Sequence, residues 1–147
     1  MGISIIDKPV NEERLIQIMH LMENTEAAYV ELSLDPALSD GIEEPKLPGV
    51  IVKSRMAESR TSLQASLWNV GDLKKILEPQ ESAWDFEIIS SFRSRLLTNK
   101  FYLVTKDPVF QYQNAAEKGR LRRSVINYIN KQNISFAPVF LPIDESL

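Results

Sequence analysis

The apolar residues of this chain switch repeatedly between two spacings, and that alternation limits the folds open to it. Leu15, Ile16, Ile18, Met19 and Met22 recur at helical steps of three and four. Ala28 to Leu34, carrying Tyr29, Val30 and Leu32, steps by two as a half-buried strand does. Val50-Ile51-Val52, Ser62 to Trp68 and Phe101 to Val104 read as further strands, and Val109 to Tyr112 extends or re-enters the sheet. Further helices are expected over Gly71 to Leu77, stopped by Pro79, then from Ser82 to Leu96, and from about Glu117 to Gln132. Strands interleaved with helices give an α/β or α+β domain, a small mixed sheet with packed helices. The 147 residues suit one domain spanning 1–147.

Local signals place the boundaries. Asn11 can cap the first helix, and Glu12 and Glu13 complement its positive end. Ser82-Ala83-Trp84-Asp85 is a capping-box variant with an acid in the third position. Asp35 to Gly49 contains Pro36, Gly41, Pro45, Pro48 and Gly49, so a long surface loop is expected there. The tail, with Pro138 and Pro142, reads as extended and irregular.

Composition excludes several kinds of chemistry. There is no cysteine, hence no disulfide, thiolate metal site or cysteine nucleophile. His20 is the single histidine and lies on an expected helix, with no Gly-x-Ser-x-Gly elbow to support a triad. A net charge of −3 offers no field for nucleic acid, and no apolar run reaches the roughly 20 residues of a membrane span. The N-terminal residues lack the basic start of a signal peptide, and a cytoplasmic protein is expected. Neither a Walker loop nor a Gly-x-Gly-x-x-Gly occurs, so no cofactor is evident. Lys118, Arg120, Arg122 and Arg123 form a short basic cluster whose simplest reading is a solvated face.

Ser62 to Glu87 concentrates the residues that carry chemistry, because it holds both tryptophans and a close carboxylate pair. An aromatic face can stack on a sugar while a carboxylate handles a hydroxyl proton. Asp85 and Glu87 are two apart, about 200° around a helix, so a regular helix cannot aim both at one site. Trp84 and Glu87 are three apart and share a face. Arg93 follows on the same helix, and its planar fork suits phosphate groups or simply solvent. The competing reading is that each tryptophan is packing and that both acids complement the helix dipole.

These residues also carry a resemblance. Leu63-Gln64-Ala65-Ser66-Leu67-Trp68, the leucine-containing helix Asp72 to Leu77, and Glu81-Ser82-Ala83-Trp84-Asp85-Phe86-Glu87 resemble the acceptor-side, C-terminal half of bacterial GT-A-like glycosyltransferases of surface polysaccharide synthesis. The Pro9 to Glu13 segment, the Tyr29 strand and Glu117-Lys118-Gly119-Arg120 add to it, so the likeness touches most of residues 9–133. It implies Glu87, or secondarily Asp85, as the general base on an acceptor hydroxyl. It further implies Gln64, Trp68, Trp84 and Arg93 as substrate-binding residues. Such enzymes use a Rossmann-like half ending in a metal-holding aspartate pair, and this chain lacks that half. A divalent metal and a nucleotide-sugar would be needed for activity, so a domain handling a sugar acceptor, inactive alone, is expected.

Two other readings stay open. One is a non-catalytic interaction domain, either a homodimer or the companion of a donor-binding chain, because a missing half leaves an interface to be covered. The other is an unrelated α/β protein, for which both tryptophans should be fully buried and Glu87 exposed.

Overall fold

The computed structural model describes residues 4–6, 9–34, 40–114, 116–117, 120–133 and 143–144. In chain order these include β1 (Ser4–Ile6), α1 (Glu12–Asn24), β2 (Tyr29–Glu31), β3 (Gly41–Glu43), β4 (Val50–Lys53) and β5 (Ser66–Trp68). There follow α2 (Val70–Ile76), α3 (Ala83–Arg93) with a 3-10 turn at Ser94–Leu96, β6 (Phe101–Val104), β7 (Tyr112–Asn114), β8 (Ala116–Glu117), β9 (Arg120–Arg122), α4 (Arg123–Lys131) and β10 (Ile143–Asp144). Contacts gather these into two compact units, residues 11–109 and the terminal segments 1–10 with 110–147.

The larger unit is built on a mixed five-stranded sheet in the order β3-β4-β6-β2-β5, which with the helices gives the expected α/β or α+β class. β2 and β6 run parallel, in the register Tyr29↔Phe101 and Glu31↔Leu103, and the other pairs are antiparallel. β6 is central. Its four residues Phe101, Tyr102, Leu103 and Val104 are all 0% exposed, as an uninterrupted apolar run predicts for a strand covered on both faces. Each such side chain contributes about 1.5–3 kcal/mol of burial.

Polar groups are nonetheless built into this sheet. Glu31 of β2 and Lys53 of β4 pair at 2.8 Å with both side chains buried. Ser33 donates its hydroxyl to the other Glu31 oxygen, and Lys53 also donates to the Ser59 carbonyl. Glu44, buried beside β6, accepts from the Tyr102 hydroxyl at 3.0 Å and from Lys100 at 3.4 Å. Burial pushes the Glu44 carboxyl up, but the Lys46 amide, Tyr102 and Lys100 outweigh that, and it titrates below the ordinary carboxylate value.

Three sequence expectations need correction. Residues 41–43 are a strand, because β4 offers them an edge and the Pro-Gly residues crowd into the 44–49 turn, where Gly49 takes φ 78°. Gly41 is required by contact, since a Cβ there would meet the Val52 carbonyl oxygen at 2.2 Å. Residues 35–39 of the expected loop lie outside the described residues. The strand expected over Ser62 to Trp68 begins only at Ser66, because the Thr61, Leu63 and Gln64 amides bond to side chains instead of a ladder. Helix α4 starts at Arg123 and not near Glu117, with β8 and β9 before it.

In the terminal unit β1 pairs with β7, so Tyr112 belongs to a separate two-stranded ribbon and not to the main sheet. β8, β9 and β10 form a small three-stranded sheet, and Leu121 and Val125 are buried. Pro138 and Pro142 lie outside the described residues. No described helix is long and apolar enough to cross a membrane.

Candidate functional site

α1 ends in a Schellman closure. The Ala27 amide donates to the Met22 carbonyl and the Glu26 amide to Glu23, which leaves Glu26 at φ 51° in the left-handed position that glycine usually fills. The Asn99 side-chain amide holds the Glu26 carbonyl at 2.8 Å. On the neighbouring edge of the sheet, β5 ends at Trp68 and Asn69 caps α2 by accepting from the Asp72 amide. These three chain ends surround an open cleft of about 670 Å³. Trp68 supplies an aromatic wall, and Glu23, Glu26, Asn69, Asp72, Lys75 and Asn99 supply the polar groups.

Trp68 is half-buried and fixed from behind. Its ring centroid lies 4.5 Å from that of Tyr29, and it meets Phe101 edge-on at 6.2 Å and Phe86 at 6.3 Å. The aromatic cluster thus locks the indole while one side remains on the cleft, an arrangement that costs a ligand little ordering entropy. Asp72 is buried and takes Lys75 at 2.7 Å, whereas Glu23 and Glu26 stand on the exposed rim.

The other sequence-predicted site residues stand elsewhere, and none of them lines this cleft. Glu87 is half-buried and accepts from the Leu63 amide at 2.9 Å and the Ser62 hydroxyl at 3.4 Å, tying the 60–64 segment to α3. Ser90 and Ser91 continue that seam through the Thr61 hydroxyl, at 2.6 and 3.0 Å. Asp85 closes the expected capping box: its carboxylate takes the Ser82 hydroxyl and amide, which hold it below the usual carboxylate range. Gln64 is exposed, its amide bonded to the Ser62 hydroxyl. Arg93 forks onto both oxygens of Glu81 and donates to the Ile76 carbonyl, fastening α3 to the end of α2. Trp84 projects outward, 73% exposed.

Of the six predicted residues, then, Trp68 alone meets the cleft, and its polar partners were not legible. Glu23, Glu26 and Asn99 are far in sequence from Asn69 and Lys75, and only folding sets them side by side. Among the described residues no group of three or more histidine, cysteine or acidic side chains is placed to hold a metal ion. No protein-family model matches this chain, and comparison with curated proteins and with solved structures gives no match.

Proposed function

We propose that residues 11–109 form a glycosyltransferase-like domain that binds a sugar acceptor in the Trp68 cleft and does not act alone as a transferase. The observation that carries this reading is the makeup of the cleft. A fixed indole wall faces amide, carboxylate and ammonium groups from three elements, the combination that accommodates a pyranose ring and its hydroxyls. Asp85 and Glu87 stand outside the cleft, so acceptor binding and not bond transfer is the activity assigned to it.

The two tryptophans make the test direct. Neutral oligosaccharides titrated into the labelled chain should shift the Trp68 indole N–H signal and leave that of Trp84 in place. Glu26→Gln and Lys75→Ala should each weaken the effect. If no saccharide moves Trp68, sugar handling at this cleft is refuted.

A second reading, an interaction domain that self-associates, rests on a different observation. Trp84, Ile88, Phe92 and Leu96 follow one another at steps of four along α3 and its 3-10 turn, and each is more than half exposed. Large exposed apolar faces mark association surfaces. Sedimentation of the wild type and Trp84→Ser over a concentration series should then show a dimer in the first and a monomer in the second.

A further inference from the structure

Three arginines gather at the carbonyl end of α3 and of the turn that follows it. Arg55 donates its Nε to the Arg95 carbonyl at 2.7 Å, and Arg95 returns an Nη2 bond to the Met56 carbonyl at 3.4 Å. Arg60, 4% exposed, donates to the carbonyl of Ser94, the residue before Arg95, and at 3.4 Å to that of Asn99. Its guanidinium lies 4.0 Å over the Phe101 ring, and that of Arg95 4.5 Å over Phe92. The acceptors Ser94 and Arg95 are adjacent residues, so three full positive charges share one small region.

Among the described residues, none of the three forms an ion pair with a carboxylate. Their partners are carbonyl oxygens, whose partial charges offset only part of one unit charge. Burial, with the Arg55 and Arg95 charges beside it, brings Arg60 down to about 10. Carbonyl bonding occupies Nε of Arg55, Nη2 of Arg95 and both terminal nitrogens of Arg60. It leaves the terminal nitrogens of the exposed Arg55, and Nη1 of the half-buried Arg95, without a protein acceptor among the described residues.

We propose that Arg55 and Arg95, backed by the buried charge of Arg60, form a binding site for a small phosphate or diphosphate ester. A doubly charged tetrahedral group suits this arrangement because guanidinium forks meet it with paired, charge-assisted bonds. The buried third charge adds attraction that solvent screens poorly. The site depends neither on the Trp68 cleft nor on what that cleft binds.

The test uses pyrophosphate, inorganic phosphate and acetate at matched ionic strength, with the arginine side-chain Nε–Hε signals of the whole wild-type chain as the readout. Saturable shifts at Arg55 and Arg95, tightest for pyrophosphate, weaker for phosphate and absent for acetate, are expected. Calorimetry should find that Arg55→Ala and Arg95→Ala each weaken pyrophosphate binding about tenfold or more, the loss of one charge-assisted contact. Unsaturable shifts of equal size with all three anions would mean bulk screening and would overturn the proposal. So would unchanged pyrophosphate affinity in folded Arg55→Lys and Arg95→Lys chains, since these keep the charge but lose the fork.

Discussion

Glu26 holds a backbone angle that costs an L-residue about 1 kcal/mol relative to glycine. Glu26→Gly should therefore raise the unfolding free energy by about 1 kcal/mol in urea titration while weakening saccharide binding at the Trp68 cleft. The Glu31–Lys53 pair behaves oppositely, because neither partner can find water once the other is gone. Glu31→Ala and Lys53→Ala should each cost about 3–5 kcal/mol, and Glu31→Leu with Lys53→Met together should cost much less. Denaturant unfolding of the four chains checks both statements. Glu44 sets a pH dependence whose sign follows from its lowered folded value. Its contribution is complete above the unfolded carboxyl value of about 4.3 and is lost as pH falls through the folded one. Melting temperatures of the wild type and Glu44→Gln, separated at pH 7, should accordingly converge as the pH drops below about 4.

At the scale of the element, α3 inverts its own composition. Its buried positions are Phe86, Ser90 and Ser91, continued by Ser94, whereas Trp84, Ile88, Ile89 and Phe92 face out. Helical spacing was plain in the sequence, and so was the capping box at Ser82. Which stripe turns inward was not, because the serines are drawn in by partners far along the chain, the Thr61 hydroxyl and amide. Phe86→Ala should cost about 3–5 kcal/mol, since it empties space under Trp68. Phe92→Ala on the outer stripe should stay within about 0.5 kcal/mol. Chemical denaturation of the two variants separates a buried Phe86 face from the buried Phe92 face that hydrophobicity suggests.

For the whole molecule, the main sheet, its core strand β6 and helices α1 to α3 all fall within residues 11–109. That segment expressed alone should melt as one cooperative transition by circular dichroism, and should show the Phe86→Ala destabilisation of the full chain. A broad, non-cooperative melt would mean that the core needs residues outside it. The terminal segments make their own pairings, β1 with β7 and β9 with both β8 and β10, and no local signal announced these partners. Strand partners far apart in sequence are chosen by tertiary packing, not by the short runs that supply them.

By itself the sequence determined the class of fold, the α1 and α3 caps and the buried run at Phe101 to Val104. Each of these depends on residues within a turn or two of one another, or on an uninterrupted apolar run. Only the tertiary structure decided that Trp68 would wall a cleft while Trp84 faced solvent. It also decided that Glu87 and Arg93 would be engaged by Leu63 and Glu81, and that Arg55, Arg60 and Arg95 would converge. Those outcomes depend on where separate elements meet, and side chains that meet across such distances leave no spacing in the chain to be read.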